Sequence, residues 1–220
     1  PRNKAKLGEQ SGDANAISET DLNRLADEIG SRLEAGPLTC LTMGQDHHTQ
    51  SMAAAFALVD GLKALEIEVL IIDAVFAEPM LATVLDLPEA PGLGELLGGT
   101  ASLESTIHRL DEFAGLHAVT AGEPPARATI TPQLGGVLRD AKRRFPLTVV
   151  IGGHLIDAAD LTHGDGGIDG LVVATGTPAG HSVDASVGDE LSRLGAPVWM
   201  LMSVFGIDDE TSTAASATTV

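Results

Sequence analysis

The stretch LTCLTMGQDHHTQSMAAAFALVDGLKAL, residues 38–65, decides the fold of this chain. Its first six residues form a short, largely apolar run that is typical of a buried β-strand. A turn containing glycine and histidine follows, and alanine-rich residues from about position 50 to 65 then predict a helix. The stretch therefore predicts a strand, a tight turn and a helix in immediate succession.

The same alternation of strand and helix repeats along the chain. Apolar runs predict further strands at residues 68–74, 117–121, 147–151, 170–174 and 198–203. Helical spacing of apolar residues predicts helices at 18–33, 134–145 and 182–194. Several strands are continuously apolar, which indicates burial on both faces. The sequence therefore predicts a doubly wound α/β domain with a mostly parallel sheet flanked by helices.

Length and composition predict one domain without a membrane span in this sequence. The 220 residues are 44% hydrophobic, which is enough for a large core, and no apolar run approaches the roughly 18 residues that a span needs. The net charge of −18 repels nucleic-acid phosphates and anionic lipid, so neither is an expected partner. Cys40 is the only cysteine, which fits a reducing cytoplasm, and we expect it to be a buried core residue.

The two ends of the chain differ in composition from its centre. Residues 1–16 are polar and lack periodicity, so we expect a flexible lead-in. Residues 208–220 are rich in Asp, Ser, Thr and Ala, which predicts a disordered acidic tail because little apolar surface is available for burial. The folded domain is therefore predicted to span residues 17–207.

The turn after the first predicted strand has the position of a phosphate-binding loop. Such a loop reads G-x-x-x-x-G-K-[ST], where glycines let the backbone approach phosphate, lysine contacts the β- and γ-phosphates, and the hydroxyl contacts magnesium. Gly44 and Ser51 match the first glycine and the hydroxyl, but Thr49 replaces the second glycine and Gln50 replaces the lysine. The turn is therefore a degenerate phosphate loop with no cationic side chain.

Further motifs follow in a fixed order: VLIIDA at 69–74, PGLGELLGG at 91–99 and AGEPP at 121–125. This order resembles the cytoplasmic kinase domain of bacterial tyrosine kinases, the autokinase partners of polysaccharide co-polymerases. The resemblance runs from about residue 38 to 205, and the second and third motifs are its most specific parts. It implies a P-loop NTPase-like fold.

Residue by residue, the resemblance implies that most of the family's active site is missing. Asp73 in VLIIDA matches the first aspartate of the corresponding family motif, but the second aspartate of that motif falls on Val75 and its two arginines fall on Ala77 and Glu78. A further family motif, an apolar strand that ends in a metal-organising aspartate, corresponds to VVIGGH at 149–154, and its aspartate falls on Gly152. The chain also has no tyrosine, so a C-terminal tyrosine cluster is absent. These losses predict a pseudokinase without enzyme activity, and neither ATP nor magnesium is an expected cofactor.

Histidines near the predicted strand ends leave one alternative open. His47, His48 and His154, like the carboxylate of Asp73, fall at or near the carboxyl ends of predicted strands, and imidazole together with carboxylate binds divalent metals. The other interpretation is that polar surface residues simply fill a decayed loop. We favour the second interpretation and predict no metal.

The resemblance also implies partners and a place in the cell. We expect a regulator or scaffold in the biosynthesis and export of exopolysaccharide, capsule or adhesin. It would bind a membrane polysaccharide co-polymerase, an active kinase of the same fold or further copies of itself, through the helix at 18–33. We expect it in the cytoplasm, or at the inner face of the membrane through a partner or a fused segment. Two alternatives remain: a nucleotide-dependent switch like the septum- or pole-positioning ATPases, and an active enzyme with a rebuilt His/Asp site.

Overall fold

A computed structural model describes residues 19–45, 47–110, 113, 115–125, 127–154, 167–175 and 197–203. Several expectations fall outside these residues: the lead-in at 1–16, the tail at 208–220, the helix at 182–194, and Asp46 in the turn. The described residues include all of the predicted strands. They also include the predicted helices that precede the strand at 147–151.

Within the described residues, strands and helices alternate along most of the chain. The helices are α1 Glu19–Leu33, α2 His48–Gly61, α3 Leu81–Leu85, α4 Leu93–Leu97, α5 Leu103–Thr106 and α6 Arg127–Lys142, with a 3₁₀ turn at Lys63–Leu65. The strands are β1 Leu38–Gly44, β2 Val69–Asp73, β3 His108–Arg109, β4 Leu116–Val119, β5 Leu147–His154, β6 Gly170–Thr175 and β7 Val198–Ser203. None of the described helices is both long enough and apolar enough to cross a lipid bilayer.

The strands form a sheet in the order β3-β4-β2-β5-β1-β6-β7. All neighbouring strands run parallel except β3 and β4, which pair antiparallel. Because each long strand returns through a crossover, the carboxyl ends of β1, β2, β4, β5 and β6 lie along one edge of the sheet. In open parallel sheets this edge is where ligands bind.

Helices cover both faces of the sheet and bury two apolar clusters. On one face, Leu25 and Ile29 of α1 pack with Leu58 of α2 against alternate residues of the central strands. On the other face, Leu97 of α4 and Leu138 of α6 pack against the remaining alternate residues. Since neighbouring side chains of a strand point to opposite faces, continuously apolar strands are buried on both sides. The predicted α/β fold with a mostly parallel, doubly covered sheet is confirmed.

The boundaries differ from the prediction in three places. Helix α6 begins at Arg127 rather than at 134, and it carries β-branched residues and Pro132 in its first two turns, which weaken the local helical pattern. Strand β5 continues to His154, so Gly152 lies inside the strand rather than just after it. The short elements α3, α4, α5 and β3 were not predicted, because two to five residues are too few to show a periodicity.

Candidate functional site

Three of the predicted site positions meet at the carboxyl edge of the sheet. Strand β5 lies between β1 and β2, where Gly44 pairs with His154 and Asp73 pairs with Ile151. Gly152 directly follows Ile151 and therefore lies between the ends of the two neighbouring strands. The fold thus brings together Gly44, Asp73 and Gly152 at one edge of the sheet.

The turn between β1 and α2 is short and closely packed. Strand β1 ends at Gly44 and α2 begins at His48, which leaves residues 45–47 between them. A Cβ atom at Gly44 would lie 2.0 Å from the carbonyl oxygen of His47. A glycine is therefore required here because the turn folds back onto its own strand.

Three backbone amides at this turn donate hydrogen bonds within the protein. The Gln45 N–H donates to the carbonyl oxygen of Ala174 at 2.8 Å, and the Gln50 N–H donates to that of His47 at 3.1 Å. The Gln50 side chain folds back, so that its Oε1 accepts from the His47 N–H at 3.4 Å, and Gln50 is only 5% exposed. A phosphate cradle needs such amides free to point at the ligand.

The remaining loop positions also face inward. The Ser51 hydroxyl, which would contact magnesium in a phosphate loop, donates to the carbonyl oxygen of His48 at 2.7 Å. Ser51 is fully buried, and Thr49 is half-buried in the first turn of α2. Gln50 and Ser51 are therefore buried parts of the helix start, and neither supplies a cation to a nucleotide.

Asp73 is a buried carboxyl that holds the following segment in place. It is 2% exposed and accepts from the backbone N–H of Val75 at 2.9 Å and of Leu81 at 3.1 Å. Burial raises its pKa above the ordinary aspartate value, although these backbone hydrogen bonds and the nearby His48 oppose the shift. The carboxyl therefore fixes both ends of residues 75–81.

Val75 and Gly152 occupy the two positions at which the resemblance leads one to expect further aspartates. Val75 is half-buried, and its Cγ2 lies 3.2 Å from where a Cβ atom at Gly153 would be. Gly152 is buried within β5. Next to Asp73 the chain therefore presents a methyl-bearing side chain and a bare backbone, and neither can coordinate magnesium through a side chain.

The histidine candidates do not gather as a metal site within the described residues. No three His, Cys, Asp or Glu side chains there come close enough to hold a metal ion. His48 instead contacts Glu78, with 2.9 Å between Nε2 and Oε2, at the rim of a small cleft above Asp73. His47 is exposed, and the side chain of His154 lies outside the described atoms. The contact with Glu78 was not predicted, because 29 residues separate it from His48 in a segment without a local pattern.

A second closely built region at the same edge joins two of the quoted motifs. We call it the Glu95 junction, and its residues are Gly92, Gly94, Glu95, Gly122 and Glu123. The Glu95 carboxylate accepts from the N–H of Gly92 at 2.8 Å and of Glu123 at 3.2 Å. Although partial burial raises the pKa of Glu95, hydrogen bonds from the backbone N–H groups of Gly92, Glu95 and Glu123 outweigh it and hold that pKa below the ordinary glutamate value.

The glycines of the Glu95 junction leave no space for side chains. A Cβ atom at Gly94 would lie 1.6 Å from the carbonyl oxygen of Glu123, and one at Gly92 would lie 2.4 Å from that of Thr120. The N–H groups of Leu93 and Gly94 also donate to the carbonyls of Thr120 and Ala121, each at 2.8 Å. The PGLGELLGG and AGEPP motifs are therefore two halves of one packed unit.

Cys40, the remaining candidate for reactivity, is a core residue. Its side chain is fully buried in β1, and burial raises the pKa of the thiol far above its ordinary value, with the Asp169 charge adding to the shift. The prediction that Cys40 is structural is confirmed.

No protein-family model and no curated protein sequence matches this chain. Solved structures do match. The VpsO kinase domain superposes with a TM-score of 0.68 at 19% identity, over 86% of this chain and 96% of that one. The kinase domain of the Escherichia coli tyrosine kinase ETK superposes with a TM-score of 0.63 at 16% identity, over 98% of this chain and 89% of that one. The chain therefore has the fold of bacterial tyrosine kinase domains, and the predicted resemblance is confirmed at this level.

A more distant match is the septum site-determining protein MinD from Pyrococcus horikoshii, solved with Mg-ADP. It superposes with a TM-score of 0.51 at 15% identity, over 74% of this chain and 68% of that one. The chain thus shares a P-loop NTPase-like fold with kinases and with an ATPase of cell division.

Proposed function

We propose that this chain is a non-catalytic member of the bacterial tyrosine kinase group, a pseudokinase that acts as a regulator or scaffold in polysaccharide or adhesin export. The observation that carries the proposal is the closed β1–α2 turn. The residue in the lysine position, Gln50, is buried and uses its side-chain oxygen to bind the turn itself. A triphosphate would have to displace these internal hydrogen bonds without a cation to replace them.

The electrostatics of the site support the same conclusion. Phosphoryl transfer depends on cations placed against phosphate charge, and each such group contributes about 3 kcal/mol to transition-state stabilisation. At this site Gln50, Val75 and Gly152 take the places of one lysine and two aspartates. The remaining carboxyl, that of Asp73, accepts hydrogen bonds from backbone N–H groups. Three missing groups together reduce the expected rate below a useful level.

The proposed partner is the cytoplasmic end of a membrane polysaccharide co-polymerase or an active kinase of the same fold. Support comes from the neighbours, which include kinase domains of the VpsO and ETK proteins, and from the retained architecture. The chain would then work in the cytoplasm, held at the inner face of the membrane by that partner. Helix α1 is the proposed contact surface, and copies of the chain would also associate with one another through it.

A nucleotide-dependent switch is the second candidate, supported by the likeness to MinD with Mg-ADP. It needs a lysine in the turn, and the sequence has no Lys or Arg between Arg32 and Lys63. An active enzyme with a rebuilt site is the third candidate, supported by the contact of His48 with Glu78 above Asp73. We rank both below the scaffold because the turn has no lysine and because Ser51, the hydroxyl one turn along α2 from His48, is fully buried.

An activity assay tests the proposal. The chain is incubated with γ-labelled ATP, magnesium and a tyrosine-containing cytoplasmic fragment of a co-polymerase system, with the ETK kinase domain as the positive control. We expect no phosphate release or transfer above buffer. Magnesium-dependent turnover that disappears in Asp73→Asn would contradict the non-catalytic assignment.

Affinity capture on membranes tests the partner. The full chain as bait should retain a co-polymerase or a kinase of the same fold, and a bait with Leu25→Asp as an unfolded control should not. If neither protein is recovered from membranes that contain both, the scaffold role is contradicted. The proposed absence of catalysis is not affected by that result.

A further inference from the structure

The contact of His48 with Glu78 joins the two segments that border the degenerate loop. His48 is the first residue of α2, directly after His47, and both the N–H and the carbonyl of His47 take part in the hydrogen bonds that close the turn. A contact that fixes His48 therefore also restricts the movement of His47.

The segment that carries Glu78 is also held in place. Glu78 belongs to residues 75–81, whose two ends are tied to the Asp73 carboxyl through the N–H groups of Val75 and Leu81. The side chains of Met52 and Met80, together with Val75 and Ile151, line the cleft beneath the contact. Glu78 therefore reaches His48 from a segment that is anchored to the end of β2.

The environment of the pair sets the size of its effect. The side chain of His48 is 30% exposed and that of Glu78 is 66% exposed, so solvent weakens the attraction on the glutamate side. Such pairs change local equilibria by small factors, and one of the hydrogen bonds that close the turn, from the His47 N–H to Gln50, is itself long.

We propose, building on the proposed function, that Glu78 is a positioning residue: by holding His48 it keeps the β1–α2 turn in the closed form that excludes phosphate. The carboxylate of Glu78 supplies the partner for His48 in this contact. Glu78 acts through His48 on the turn and touches no ligand itself.

Residue-resolved hydrogen exchange of the full chain tests this role. In Glu78→Ala, the N–H groups of His47 and Gln50 are expected to exchange about two- to fivefold faster, while slowly exchanging core amides in β1 and β5 are unchanged. The matched control is Glu68→Ala, which removes a similarly exposed partner of another histidine, His117, at the opposite edge of the sheet. This control should leave the turn amides unchanged.

A double variant separates positioning from a general loss of stability. His48→Ala and Glu78→Ala together should accelerate turn exchange no more than either variant alone, because both remove the same contact. Additive acceleration, equal acceleration in Glu68→Ala, or no acceleration in Glu78→Ala would overturn the role of Glu78.

Titration of Glu78→Ala with ADP and magnesium keeps the two proposals distinct. The variant still lacks the lysine and two carboxylates, so we expect no nucleotide binding even when the turn opens. Nucleotide binding by the unaltered chain would contradict the proposed function, whereas unchanged exchange in Glu78→Ala would contradict the positioning role alone.

Discussion

The β1–α2 turn and the Glu95 junction lie at the same edge of the sheet, and different kinds of side chain accept the hydrogen bonds that hold them. In the turn, a neutral side-chain oxygen of Gln50 accepts one amide at 3.4 Å. In the junction, the Glu95 carboxylate accepts two amides, at 2.8 and 3.2 Å, and glycines allow the backbones to touch. The comparison teaches that both regions need glycine for close backbone contact, and that they differ in the side chain that holds them: a carboxylate with two hydrogen bonds in the junction, and a neutral amide with one long hydrogen bond in the turn.

The largest expected effect comes from adding one methyl group to the junction. In Gly94→Ala the Cβ atom would lie 1.6 Å from the Glu123 carbonyl oxygen, a backbone atom that cannot move aside freely. We expect a loss of about 3 kcal/mol in the free energy of unfolding, measured by urea denaturation. The control is Gly136→Ala in α6, where the nearest atom is the end of Arg139 at 4.0 Å. It should stabilise the chain by up to about 1 kcal/mol, and equal losses in both variants would contradict the packing argument.

The next effect comes from removing the charge of the junction. Glu95→Gln keeps the size of the side chain but weakens its bonds to the Gly92 and Glu123 amides. We expect a loss of about 1 kcal/mol in the free energy of unfolding. Glu104→Gln, at an exposed position in the first turn of α5, should change stability by less than about 0.5 kcal/mol. If Glu95→Gln lowers the free energy of unfolding no more than Glu104→Gln does, the junction does not depend on the carboxylate.

The Glu95 junction and the carboxyl end of β2 should respond oppositely to pH. The pKa of Glu95 is lowered on folding, so its stabilising contribution is present above the ordinary glutamate pKa and is lost as the pH falls through the folded value. The pKa of Asp73 is raised, so its contribution is present below the ordinary aspartate pKa and is lost as the pH rises through the folded value.

Unfolding of the unaltered chain, Glu95→Gln and Asp73→Asn across the acidic range measures both trends. The advantage of the unaltered chain over Glu95→Gln should shrink with falling pH, and its stability relative to Asp73→Asn should fall with rising pH. Parallel curves for all three proteins would contradict both assignments.

The smallest expected effect is at the turn itself. Gln50→Met preserves the length of the side chain but removes the oxygen that accepts from the His47 N–H. Because that hydrogen bond is long and His47 is exposed to water, we expect a loss of only about 0.5 kcal/mol by urea denaturation. Gln133→Met, at an exposed position of α6, serves as the control and should have no effect. A loss as large as that of Gly94→Ala would mean that the turn is no weaker than the junction.

The sequence predicted the sheet well because its signals are local. Apolar runs such as VLIID and GLVVAT are buried on both faces, and their order leaves few alternatives to a parallel sheet. The beginning of α6 could not be predicted in the same way. Packing of Leu134 and Leu138 against the sheet stabilises a helix that continues back through residues with poor helical preference.

The site could be predicted in position but not in its contacts. Gly44, Asp73 and Gly152 meet because strand ends share an edge, which follows from topology. The fold back of Gln50 onto His47 and the reach of Glu78 to His48 depend on side-chain directions that no spacing in the sequence encodes. The same limit applies to the Glu95 junction. Both of its motifs can be read from the sequence, but the contacts between them cannot.

Calorimetric titration of the purified chain with ADP and ATP, with and without magnesium, tests the central claim most directly. The ETK kinase domain provides the positive control under the same conditions. Our account predicts no heat of binding for either nucleotide, with or without the metal. Micromolar, magnesium-dependent binding of ATP by this chain would contradict it.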